Sequence, residues 1–225
     1  MNKRLVYLPL ALPFFLLFIL LALLFPLVMS EAFMRLGFSP LAAFYFLIFS
    51  IFGSAINIPL KSVYTTGEFM KVEVHSFYGL LYPQLVREYG RRRTTIAINV
   101  GGALVPIAVS AFLFLRFGLA LSWRLPIGIA LVSLICYKLA RVVPRVGIVM
   151  PAFIPPLASA AIAIPLGGNL APALAYISGV IGVLLGADLL NLRKVTKLGA
   201  PMMSIGGAGT FDGIFLTGII SVLLV

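Results

Sequence analysis

Seven apolar runs dominate this chain, at residues 5–29, 38–60, 94–115, 125–143, 147–166, 170–192 and 203–225. A helix needs about 20 apolar residues to cross the hydrocarbon core of a bilayer, and each run meets or approaches that length. The composition points the same way. Of the 225 residues, 62% are hydrophobic and 10% are charged, against roughly 45–50% and about 25% in soluble domains. Such a chain cannot close a water-facing surface, so the soluble enzyme classes are excluded. The first run is too long for a signal peptide, and no small-residue cleavage pattern follows it. The sequence therefore predicts an all-α polytopic bundle of seven spans, forming a single integral membrane domain over residues 1–225 in the cell membrane.

Charge orients the bundle. With the N-terminus inside, only Arg35, Arg116 and Arg124 of the 17 Lys and Arg fall in outer loops, and the other 14 fall in inner loops. The positive-inside rule predicts this asymmetry for an N-in, C-out chain. Topology thus accounts for the formal charge of +11 without a nucleic-acid partner. The expected partner is the lipid bilayer.

The inner segment 61–93 is the one sizeable stretch between runs. Lys71-Val72-Glu73-Val74-His75 alternates polar and apolar, the period of a half-buried strand. Tyr78, Tyr82 and Tyr89 with Arg91, Arg92 and Arg93 suit the headgroup zone. The segment reads as a surface β-hairpin with a membrane anchor, ahead of any substrate-reading role. A short echo, G-G-x-L-x-P, recurs at residues 101–106 and 167–172.

The side-chain inventory narrows the chemistry. Cys136 is the single cysteine and His75 the single histidine, which excludes an intrachain disulfide, a thiolate cluster and His-based metal sites. No cofactor is expected. Polar groups within apolar runs are costly and mark functional positions by default. They are Asn57, Asn99, Asp188, Asn191 and Asp212. All four Glu lie in loops, and the only two aspartates sit on consecutive runs. Asp188 lies about 7 Å from the inner end of its run by helical rise, and Asp212 about 10 Å from the inner side of a core about 30 Å thick. The two carboxyls therefore reach a similar depth.

Two neighbouring carboxyls cannot both ionise cheaply, so they share a proton. The ionised member activates a water against a peptide carbonyl, and the protonated member donates to the carbonyl oxygen. The run Gly206-Gly207-Ala208-Gly209 before Asp212 is too glycine-rich for a helix interior. Irregular backbone at membrane depth must be buried in protein or line a wet cavity. On the preceding run, Gly179, Gly182 and Gly186 suggest one small-residue face for close helix packing. Asn191 shares the Asp188 face.

Gly186-Ala187-Asp188-Leu189-Leu190 followed by Gly209-Thr210-Phe211-Asp212-Gly213-Ile214-Phe215 resembles the two-aspartate core of intramembrane aspartyl proteases, the group of presenilin, signal peptide peptidase and the prepilin peptidases. The resemblance implies that Asp188 and Asp212 are the catalytic pair, that Gly209, Thr210, Phe211 and Gly213 contact substrate, and that the substrates are transmembrane-helix peptides. The chain departs from that pattern in three places. Phe211 stands where the second glycine of the motif belongs, no Tyr precedes Asp188, and Pro172-Ala173-Leu174 precedes both aspartates rather than following them. As a whole the chain also resembles an uncharacterised family of prokaryotic membrane proteins, which implies no activity.

Two other readings of the same residues stand beside the protease. Each Asp could cap a broken helix or pair with Arg193 or Lys194. Alternatively, Asn57, Asn99, Asp188 and Asp212 could form a cation or proton site in a secondary transporter or channel. Geometry separates them. A protease needs the carboxyls together, and an ion site needs the asparagines converging on them.

Overall fold

The computed structural model describes residues 24–78, 80–143, 147–196, 202–209 and 212–225. Helix α1 covers residues 24–35, taking in the end of the first apolar run, whose earlier part lies outside the described residues. Helix α2, Pro40–Gly53, starts where the Ser39 hydroxyl accepts the Ala42 amide at 3.2 Å, with Pro40 opening the first turn. The chain then leaves the helix and enters a long antiparallel hairpin. Its strands are β1, Asn57–Phe77, and β2, Leu80–Asn99, with Tyr78 at positive φ in the turn. A π-helical turn, Val100–Leu104, leads into α3, Val105–Leu121, and α4 follows as Arg124–Leu139.

A small hairpin, β3 (Arg141–Val143) with β4 (Gly147–Val149), precedes α5, Ile154–Gly167. Helix α6, Ala171–Val183, continues into a π-helical segment, Leu184–Leu189, and then the short α7, Leu192–Thr196. Strand β5, Met202–Ile205, and helix α8, Gly213–Leu223, complete the described chain.

Two helical runs are long and apolar enough to cross a membrane, Val100–Leu121 and Ile154–Leu189. The second run is not straight. Gly168 takes φ +53°, and the Ser159 hydroxyl donates to the Ala175 carbonyl at 2.7 Å. In one straight helix those residues would lie about 24 Å apart at a rise of roughly 1.5 Å per residue. Helices α5 and α6 therefore form an antiparallel pair. Both copies of the G-G-x-L-x-P echo do the same local job: the glycines precede a helix, and Pro106 or Pro172 sits in its first turn.

The all-α expectation is corrected to a mostly helical fold with a sheet. Strand β2 lies between β1, antiparallel, and β5, parallel, with Thr95 opposite Met202 and Ile98 opposite Ile205. Five expected helical spans contain strand: 38–60 ends in β1, 94–115 begins in β2, 125–143 ends in β3, 147–166 begins in β4, and 203–225 begins in β5. Hydropathy reports apolar side chains whichever backbone carries them, and short apolar runs suit either state. The hairpin expected within 61–93 is present and extends to 57–99.

Helix α6 is the centre of the bundle, with almost every residue from Ala171 to Val183 buried among α3, α4, α5 and α8. Its glycines do not form the single face that their spacing suggests. Gly182 and Gly186 lie against Val132 and Ser133 of α4, whereas Gly179 lies against Ser159 of α5 and Thr217 of α8. Small residues on two sides let three helices approach one axis closely.

The molecule has two distinct ends. At one, the Arg35 guanidinium donates to the Leu223 carbonyl (3.2 Å) and that of Arg116 to the Gly37 carbonyl (3.3 Å). The sheet lies at the other end, where α3 and α8 begin. Arg35 and Arg116, two of the three bases assigned to outer loops, thus share the end opposite the sheet.

Candidate functional site

The site forms where α6 widens. Gly186 lies so close to the Ser133 carbonyl of α4 that no side chain fits there. Just beyond this contact the helix carries Asp188 in its π-helical segment. Such segments loosen the usual amide ladder and often occur at functional positions. Asn191, fully buried, donates to the Gly186 and Ala187 carbonyls at 3.2 and 3.0 Å, satisfying acceptors at the end of the segment. Lys194 donates to Asn191 Oδ1 at 2.8 Å, and its ammonium sits 5.0 Å from the Tyr137 ring centroid. Lys194 is thus engaged away from Asp188. Among the described residues Asp188 has neither a hydrogen bond nor an ion pair. Its half-buried carboxyl lies within electrostatic reach of Asp212 and Cys136.

Asp212 is the N-cap of α8. Its Oδ1 accepts the Ile214 amide at 3.0 Å, and its Oδ2 accepts the Ala208 amide at 3.4 Å. The preceding turn depends on glycine at two positions. Gly206 and Gly209 take φ +70° and +65°, a region that costs other residues strain. A side chain at Gly209 would also meet Ser54 Cβ and Oγ at 2.5 Å. Gly209 is therefore a packing glycine, seated on the end of α2. Gly213, by contrast, is half-buried, with Met150 and Val183 3.9 Å from where its Cβ would be. The other two residues expected at the substrate, Thr210 and Phe211, lie outside the described residues.

The asparagines build a second, separate cluster. Asn57 and Asn99 face each other at the base of the β1–β2 ladder. Fully buried Asn99 donates to the Ser54 carbonyl (2.8 Å) and to Asn57 Oδ1 (3.1 Å), and its own Oδ1 caps the Gly102 amide at 2.8 Å. The Ser204 hydroxyl of β5 also donates to Asn57 Oδ1. No hydrogen bond among the described residues joins this cluster to either aspartate. Gly101 and Gly102 let the backbones meet here: a side chain on Gly101 would strike the Ser50 carbonyl, and one on Gly102 the carbonyls of Gly206 and Gly209. Ser54 and Ser204 are sites that sequence reasoning passed over. The signal for them was the Gly-Gly pair, which demands a close backbone neighbour without naming it.

An open apolar groove of about 790 Å³ runs between α3, α4 and α6. Tyr137, Leu185 and Leu190 border the end next to the Asp188 segment. Among the described residues no group of three or more His, Cys, Asp or Glu side chains gathers as a metal site. Residues 51–224 match the model of a family described as a protein of unknown function, DUF1614. No curated protein and no solved structure matches the chain.

Proposed function

The chain belongs to the DUF1614 family, and we propose that it is an intramembrane aspartyl protease, embedded by seven spans with its N-terminus inside. The observation that carries this reading is that Asp188, in the segment that continues α6, and Asp212, the N-cap of α8, fall within electrostatic reach of one another, α6 and α8 being packed side by side. The asparagines are the counter-test, since a cation site would draw them toward the aspartates. They bond instead to each other, to Ser54 and to Ser204.

The backbone around the pair suits hydrolysis. Strand β5 and the turn after it are non-helical; β5 pairs with β2 along one edge, and in the turn the Gly209 amide donates to the Gly206 carbonyl and the Asp212 amide to the Gly209 carbonyl. Helix α8 has 11 residues, about 16 Å of rise, so it leaves the inner half of the bilayer to strand and turn, where water has a route. The two amides on Asp212 suit it to the base role, activating water. Asp188, with no such donors, suits the acid role toward the peptide carbonyl oxygen. The apolar groove beside the Asp188 segment offers a helical substrate an approach from the lipid.

The experiment is cleavage of model transmembrane peptides by the purified protein, compared with Asp188→Asn and Asp212→Asn. Asparagine caps helices as well as aspartate does, so Asp212→Asn keeps the Ile214 cap of α8 while giving up the acid–base chemistry and the long 3.4 Å bond from the Ala208 amide. Each variant is expected to lose about 10⁴-fold or more of the activity with an unchanged melting curve. Aspartate-dependent cation flux in liposomes with no peptide cleavage would overturn the reading in favour of a transporter.

A further inference from the structure

The β1–β2 ribbon is far longer than its role at the site requires. Strand β2 alone has 20 residues, about 66 Å at roughly 3.3 Å per residue. Only its first few rungs are covered, where Thr95–Ile98 pair with β5. A two-stranded ribbon standing alone in water is marginally stable, so the outer part needs a surface to rest on.

Its two faces differ. The register places Tyr64, Val72 and Val74 of β1 on one face with Arg91 and Arg93 of β2. On that face Val72 and Val74 are 57% and 61% exposed, and the Arg91 guanidinium lies 4.4 Å from the Tyr64 ring centroid. The opposite face carries Glu73, His75 and Gln84, with Glu73 and His75 3.8 Å apart. Tyr78 at the tip is 93% exposed. By the full register the first face carries Arg87, Arg91 and Arg93 against Glu68, with Leu81 and Leu85 beside the valines, whereas the second mixes Lys61, Lys71 and Arg92 with Glu73 and Glu88 and also holds Phe69, Phe77 and Val86.

We infer that the ribbon docks by its Tyr64–Val72–Val74–Arg91–Arg93 face on the anionic inner leaflet of the membrane that holds the helices. The ribbon leaves the bundle between α2 and α3, at the end opposite Arg35 and Arg116. In the N-in arrangement that end meets the inner leaflet, where anionic headgroups concentrate. Arginines reach phosphates, the two valines reach the acyl boundary, and tyrosines suit the interface between them. The inference rests on the membrane placement proposed above, though not on proteolysis.

The test uses the full chain in a Cys136→Ser background, with an environment-sensitive dye on Val74→Cys or on Gln84→Cys. Resistance to carbonate extraction is checked first; extraction would overturn the membrane placement and the docking with it. In phosphatidylglycerol-containing vesicles the dye at 74 is expected to be shielded from aqueous iodide while the dye at 84 stays quenchable. In pure phosphatidylcholine both should be quenched. Replacing Arg91 and Arg93 together by Gln should lower the docking constant about thirtyfold, from roughly 1 kcal/mol per basic side chain near an anionic surface. Equal quenching at 74 and 84 in both vesicles overturns the proposal. So does shielding at 74 that persists in neutral lipid and grows with protein density, which would assign the face to a second copy of the chain.

Discussion

The bundle around α6 and the β1–β2 ribbon satisfy their backbones in different ways, and they differ in what they tolerate. Helix α6 makes its own hydrogen bonds, yet its position is decided by neighbours on every side, with glycines where helices touch. The ribbon takes its hydrogen bonds from one partner strand along nearly its whole length, and among the described residues β5 is the one further strand that pairs with it, at its base. In the bundle, sensitivity should peak where backbones meet without side chains between them. In the ribbon, most side chains should be replaceable at little cost.

The sharpest contrast is between two glycines. A Cβ at Gly102 would strike two carbonyl oxygens of the Gly206–Gly209 turn, whereas one at Gly90 in the ribbon would meet nothing within 4 Å. Gly102→Val is therefore expected to abolish the folded state, at a cost above the roughly 1–3 kcal/mol of ordinary overpacking, because backbone cannot move aside as a side chain can. Gly90→Val should leave the melting temperature in detergent unchanged or slightly raised, since β-branched residues suit strands. Equal outcomes for the two would break the comparison.

The junction between the regions comes next. Asn99→Ala leaves the Ser54 carbonyl and the Gly102 amide without their buried partner, so unfolding free energy should fall by about 3 kcal/mol in a denaturant titration. A smaller effect separates the two aspartates. Asp212→Ala removes the α8 cap and should cost about 1 kcal/mol. Asp188→Ala removes no hydrogen bond seen among the described residues and should cost less than about 0.5 kcal/mol. A large loss at Asp188 would give it a structural duty and weaken its assignment to chemistry.

The smallest effect should come from the ribbon itself. Deleting residues 66–91 and joining Thr65 to Arg92, its register partner, through an Asn-Gly turn should shift bundle stability by less than about 0.5 kcal/mol. A collapse of the bundle would mean that the outer ribbon packs back on it.

Local rules made several elements readable. The alternation at 71–75 marks a strand, and the glycines at 206–209 mark a break before α8. Each signal concerns neighbours in the chain. The five spans that contain strand were misread because apolar stretches such as 58–60, 96–98 and 202–205 suit either backbone state, and pairing as distant as Asn57 with Asn99 or Thr95 with Met202 leaves no periodicity to read. The glycines of α6 were visible, but which neighbour each one admits was not.

The sequence by itself determined that this chain is mostly apolar and mostly helical, and that Asp188 and Asp212 are its only acids within apolar runs. Only the tertiary structure decided that Asn57 and Asn99 close on each other rather than on the aspartates, and that Gly209 is a packing contact under Ser54. Composition and periodicity are properties of short windows. Which backbones can touch is settled by every small residue on both sides of a contact, and those residues lie far apart in the chain.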